Sequence, residues 1–129
     1  MRKHIASGDG LPKWSAPISH AVVVDNICYV SGQLSLDAKG NYVKGTVREE
    51  AERAFKNVFA ALKAADFAAS DLAFIDIAFG NLRDLTEVNK LFAELFPEGK
   101  RPARTIYQAA QLPFGAKVKV VGVAVKERK

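Results

Sequence analysis

The spacing of hydrophobic positions changes several times along the chain, and each change marks an element. In residues 20–36 two short runs rich in β-formers, 21–24 and 27–30, flank Asp25 and Asn26. Asx residues tolerate tight-turn conformations, so this stretch predicts a β-hairpin. Gly32 interrupts the second run, which marks a bulge or a place where backbone approaches a ligand closely. Beyond the polar loop 37–41 a helical pattern begins at Thr46, and Glu49 three residues later completes a capping-box signature. Ala51, Phe55, Val58, Leu62 and Ala65 then recur at spacings of three and four, one face of a helix ending near Asp66.

Residues 72–79 are too short for an amphipathic helix and rich in Phe and Ile, so they read as a strand, with Asp76 on its more open face. Asp84 and Glu87 repeat the cap pattern. Leu85, Val88, Leu91, Phe92 and Leu95 form a second helical stripe that stops before Pro97 and Gly99. Two closing strands are predicted at 104–109 and 117–125, separated by the turn-forming Leu112, Pro113, Phe114 and Gly115. The last is nearly continuous in valine, as expected of a strand buried on both faces.

Strands, helix, strand, helix, strands give an α+β chain in which two helices cover one face of a mixed sheet, a two-layer sandwich. At 129 residues, 49% of them hydrophobic, the chain reads as a single domain, 1–129, with a real core. The other sheet face, with members of the set Val118, Val120, Val123 and Val125, is too apolar for water, so subunit association is expected to bury it.

Composition narrows the partners. No run of eighteen apolar residues exists, and Met1, Arg2, Lys3 and His4 lead into polar residues instead of an apolar signal core, so a soluble cytoplasmic protein without membrane contact is expected. The single cysteine, Cys28, implies neither an intrachain disulfide nor a multi-cysteine metal site and reads as a core filler. A formal charge of +5 raises the question of nucleic acid. The basic residues lie mainly at the chain ends and at Lys100 with Arg101, without interleaved aromatics, so a solvated surface is expected in place of a polyanion site.

No P-loop, dinucleotide fingerprint, His-Glu-x-x-His or Gly-x-Ser-x-Gly motif occurs. His4 is expected in a mobile end. His20, beside Ser19 before a strand, reads as a surface or structural histidine, with a general-base role as the sharper alternative. Arg104 stands out because it opens a strand between apolar residues. A guanidinium there offers paired donors to a planar carboxylate and keeps its charge; the alternatives are ligand binding and a salt bridge within the chain. Arg101, in the preceding loop, reads as solvated.

Val30-Ser31-Gly32-Gln33-Leu34, then Val88-Asn89, then Arg101-Pro102-Ala103-Arg104 occur in that order. Together they resemble the RidA/YjgF family, historically also described as translation inhibitors or endoribonucleases, over nearly the whole chain. The resemblance implies a chorismate-mutase-like fold and a homotrimer whose sheets form a barrel, with clefts between subunits. It also implies hydrolysis of a reactive enamine or imine, such as 2-aminoacrylate, to a 2-oxo acid and ammonia, with no cofactor and no metal. Arg104 would hold the substrate carboxylate. Ser31, Asn89, Gly32 and Ile18 would line the cleft, with main-chain groups near Ile106.

Four departures accompany the match. Ile18 stands where a tyrosine is usual, Val121 where a glutamate would position water, and Ile106 where a cysteine is frequent; His20 replaces a glutamine. Three readings follow: an imine deaminase, or a close relative whose more apolar cleft favours a bulkier or more hydrophobic acid; a non-catalytic binding module for small carboxylates, suggested by the missing tyrosine and glutamate; and an RNA-directed activity, suggested by the net charge and the family's historical labels.

Overall fold

The computed structural model describes residues 1–128. In chain order the elements are β1 (Arg2–Ile5), β2 (Ala21–Val24), β3 (Ile27–Gln33), α1 (Val47–Ala64), β4 (Leu72–Phe79), α2 (Leu85–Leu95), β5 (Ala103–Gln108) and β6 (Val118–Val125). They form one six-stranded sheet, ordered β1-β2-β3-β6-β4-β5. All neighbours are antiparallel except β4 and β5, which run parallel around the crossover through α2. Both helices lie on one face, the predicted two-layer α+β arrangement. Among the described residues no helix is long and apolar enough to cross a membrane.

The hairpin forms as read, with Asp25 in the left-handed region at φ 54°. The register of β3 against β6 shifts between Val30 and Gln33, so Gly32 sits in a bulge. A Cβ on Gly32 would lie 2.9 Å from Cδ of Lys119, whose aliphatic stem crosses the bulge. A side chain at this position would have to push the flexible lysine stem aside.

The start of α1 follows its sequence signal. Thr46 Oγ1 accepts from the Glu49 amide at 3.1 Å, and Glu49 Oε1 accepts from the Thr46 amide at 2.9 Å. Its predicted face, Ala51, Phe55, Val58, Leu62 and Ala65, is buried. Two polar residues of α1 are buried as well. Asn57 Nδ2 donates to the carbonyls of Leu34 and Leu36 at 3.0 and 3.1 Å, tying the chain beyond the bulge to the helix. The fully buried Glu50 accepts from Tyr42 Oη at 2.7 Å and from the Lys117 amide at 3.1 Å, and Lys117 Nζ lies 3.3 Å away. A carboxylate so fully engaged is a structural anchor.

Four expectations change. Residues 2–5 form β1, paired with β2 from Arg2↔Val24 to Ile5↔Ala21, so His4 belongs to an edge strand and not to a mobile end. Its apolar signal is faint because only Ile5 of the four is buried. Asp84 makes no side-chain capping bond: a short 3₁₀ turn, Leu82–Asp84, leads into α2, and Asn81 caps it by accepting from the Arg83 amide. β6 alternates. Val118, Val120, Gly122 and Ala124 are buried beneath the helices, whereas Val121 and Val123 are half-buried and Val125 exposed on the open face. Val118 and Val120 therefore belong to the covered core, because the helices cover one side only.

Four phenylalanines join the helices. Phe55 of α1 meets Phe92 of α2 and Phe96 edge-on at centroid distances of 6.1 and 6.2 Å, and Phe92 and Phe96 lie 4.7 Å apart. Phe59 completes the group against Phe96 at 6.3 Å. Such pairs add roughly 0.5–1.5 kcal/mol each beyond area burial.

The capping difference is measurable by urea unfolding. Thr46→Ala is expected to lose about 1 kcal/mol. Asp84→Ala should stay within about 0.5 kcal/mol of the parent. Equal losses would contradict the assignment of Asn81 as the cap before α2.

Candidate functional site

Arg104 lies on the edge strand β5 with its side chain on the helical side of the sheet. Its guanidinium carbon stands 4.8 Å from the centroid of the Phe92 ring, a cation–π arrangement. The residue is half-buried, and burial lowers its pKa from the usual arginine value, though a guanidinium keeps its proton under any ordinary condition. Among the described residues no ion pair includes it. The acidic residues of α2 lie on the side of the helix away from Asn89 and Ala93 and are engaged there, Glu94 with Arg48 at 2.7 Å and Glu87 with Lys90 at 3.3 Å. Of the two roles open to Arg104, the intrachain salt bridge is therefore not formed.

Arg104 opens onto a cleft of about 360 Å³ shared with Asn89, Phe92, Ala93, Arg101 and Pro102. Asn89 reaches it from the exposed face of α2. The parallel crossover β4-α2-β5 accounts for the meeting, since it lays α2 against the strand that follows it. Arg101 was read as solvated; it is exposed, but it lines this cleft with its Nε donating to the Phe96 carbonyl at 3.1 Å. Phe92 was read only as part of a helical stripe. The signal for its second role is a ring on the α2 face that turns toward β5.

Ile18 and Gly32 lie elsewhere, in a second cavity of about 290 Å³ with Trp14, Leu34, Phe114 and Lys119. Ile18 is 56% exposed and Phe114 63%, so this wall is apolar and open. Ser31 is among the lining residues of neither cavity: its hydroxyl donates to the Ser19 carbonyl at 2.6 Å and its amide to the His20 carbonyl at 2.9 Å. Ile106 turns its side chain into the core, packed beside β4 at Ile77. Because β5 ends the sheet, its outer main-chain groups have no strand partner among the described residues. Val121 lies on the open face opposite Asp76, which accepts a hydrogen bond from Thr105 Oγ1.

The acid/base role raised for His20 finds no support in this geometry. The residue is 1% exposed and packs against Trp14, with ring centroids 3.8 Å apart and the planes tilted by 35°. Nε2 lies 2.7 Å from the Pro12 carbonyl, which can only accept, so this nitrogen carries the proton. Nδ1 then accepts from Gln33 Nε2 at 3.2 Å. Both nitrogens are occupied, and the histidine pins the segment before β2 to β3. Among the described residues no group of three or more His, Cys, Asp or Glu could hold a metal ion. Burial raises the Cys28 thiol to about 11, an inert core cysteine.

The Endoribonuclease L-PSP family model matches residues 11–126. The chain is 36% identical over 127 residues to the 2-iminobutanoate/2-iminopropanoate deaminase of Bos taurus, covering 98% of this chain and 91% of that one. Identity to the human protein of the same name is 34% over 125 residues, covering 96% and 90%. This chain belongs to the RidA/YjgF family. Solved structures agree with the RidA/YjgF fold: RidA from an Antarctic Psychrobacter superposes with a TM-score of 0.88 at 29% identity, covering 96% of this chain and all of that one. The YjgF gene product of E. coli gives a TM-score of 0.89 at 25% identity, covering 97% and 100%.

Within this RidA-type chain His20 supplies a pH test. Burial, the larger effect, lowers its pKa below the ordinary 6.5, against the opposing pull of the Pro12 carbonyl. The folded state therefore favours neutral imidazole, so stability is full above the ordinary pKa and falls as pH drops below it. Thermal unfolding between about pH 7 and 5, above most carboxylate titration, should show a falling Tm with acid. The His20→Gln variant should show a shallower slope; parallel slopes would contradict the assignment.

Proposed function

We propose that this protein hydrolyses a reactive 2-imino acid, or its enamine tautomer, to the 2-oxo acid and ammonia. The observation that carries this reading is an arginine that no acidic side chain among the described residues pairs with, held over an aromatic ring at the mouth of a cleft. Arg104 would take the substrate carboxylate through two parallel N–H···O bonds, which fixes the adjacent C2 atom in orientation. Asn89 can donate to and accept from the groups on C2. Water oxygen adds to C2 of the protonated imine as the C=N π pair moves onto nitrogen, and the added water gives one proton to solvent, which yields a neutral carbinolamine. One proton moves from the new hydroxyl to nitrogen, the C–N bond breaks, ammonia leaves and the C=O bond forms. Positioning of the reactants is the main source of acceleration available to these residues.

The proposal includes a homotrimer. The open sheet face carries Tyr29 at 50% exposure, Tyr107 at 43% and Val125 at 38%, an apolar area suited to burial between subunits. Association would also allow the Ile18 and Gly32 wall of one subunit to meet the Arg104 cleft of another, completing an intersubunit site. A cytoplasmic setting, where imines arise from amino-acid metabolism, belongs to the same reading.

A second reading, a non-catalytic module for small carboxylates, is favoured by one observation: the side chains of the Arg104 cleft include no carboxylic acid, imidazole or thiol. It predicts that a 2-oxo acid raises Tm in proportion to its binding, with no turnover.

The test generates 2-aminoacrylate in situ with a serine dehydratase and follows 2-oxo acid formation. Wild type is expected to accelerate it, and Arg104→Ala to lose roughly a hundredfold in kcat/KM, the size of a lost charged hydrogen-bonded contact. No acceleration by wild type, combined with a Tm rise on adding 2-oxobutanoate, would replace the enzyme reading with the binding module.

A further inference from the structure

The Arg104 cleft contains a second cation that the monocarboxylate reading leaves without work. Arg101 lines the same cavity, and its Nε is tied to the Phe96 carbonyl at 3.1 Å. That bond holds the guanidinium at the rim while its terminal N–H donors remain available. Among the described residues Arg101, like Arg104, takes part in no ion pair. Two guanidinium groups on one small cleft repel each other, and the carboxylates of α2 give no relief, because Glu87 and Glu94 lie on the side of the helix away from Asn89 and Ala93 and pair with Lys90 and Arg48. One carboxylate satisfies one guanidinium fork. A ligand with a second anionic group relieves both charges.

Resting on the deaminase reading, we propose that the preferred substrate carries a second carboxylate, a 2-imino dicarboxylate of the kind formed from an acidic amino acid. Arg104 grips the carboxylate next to C2, and Arg101 takes the distal one. A cleft of about 360 Å³ accommodates a five-carbon diacid. This assignment departs from the expected shift toward a more hydrophobic acid, because within one subunit the replacements behind that expectation lie away from the Arg101 and Arg104 side of the cleft, and an Ile18 wall brought up by another subunit leaves both cations in place. Ile18 lines the other cavity, Ile106 packs into the core, and Val121 occupies the open face of the sheet.

Calorimetric titration with 2-oxoglutarate, 2-oxobutanoate and inorganic phosphate tests the inference without requiring turnover. Wild type should bind 2-oxoglutarate at least about tenfold more tightly than 2-oxobutanoate. Arg101→Met should erase that preference by weakening 2-oxoglutarate at least about tenfold more than 2-oxobutanoate, whereas Arg104→Met should weaken both acids. Equal affinities in wild type, a preference that survives Arg101→Met, or phosphate binding tighter than 2-oxoglutarate would each overturn the proposal. The wild-type comparison stands even if a variant does not fold. If 2-aminoacrylate hydrolysis proceeds while 2-oxoglutarate shows no preference, only this inference falls; if the preference holds without any turnover, the deaminase reading falls instead.

Discussion

The contact between Arg104 and Phe92 is the interaction on which the site depends. Phe92 is wedged among Phe55 and Phe96, so the ring that faces the guanidinium is fixed by the same packing that joins α1 to α2. A cation on an aromatic face gains roughly 0.5–2 kcal/mol, enough to orient a half-buried guanidinium without neutralising it. Had a carboxylate supplied that support, an incoming acid would have had to displace it. The core thus presents a cation that is oriented yet still electrically available.

The sheet divides the remaining chemistry between its two sides. On the helical side the β4-α2-β5 crossover brings Asn89 and Arg104 together. At the far side of β6 the bulge at Gly32 allows Lys119 to cross the backbone and helps shape an apolar cavity with Ile18. Between them runs an open face whose strands contain one acidic residue, Asp76, and that residue is satisfied by Thr105. Such a surface combines few charges with broad apolar area, the composition that makes association favourable.

Much of this was readable from residue order. The capping box at Thr46, the stripe through Phe55 and Val58, and the Asx turn at Asp25 are local signals, and local structure followed them. β1 escaped because Arg2, Lys3 and His4 are exposed on an edge strand, so no burial pattern advertises it. Asp84 misled because a cap sequence also suits a residue inside a 3₁₀ turn. Arg104 was legible as a cation out of place in a strand. Its partners were not: Asn89 entered through family resemblance, while Arg101 and Phe92 become meaningful only when the crossover folds α2 onto β5. His20 shows the reverse case, a chemically capable residue whose role is decided by two hydrogen-bond partners distant in sequence.

The central claim is that Arg104 is an anion receptor built on the aromatic core. Its most direct measurement is a crystal structure of the protein soaked with 2-oxobutanoate. The expected result is the ligand carboxylate paired with the Arg104 guanidinium at hydrogen-bond distance, about 2.7–2.9 Å, with the Phe92 ring still beneath. A ligand bound elsewhere with Arg104 unengaged, or Arg104 turned away to pair with a protein carboxylate, would contradict it.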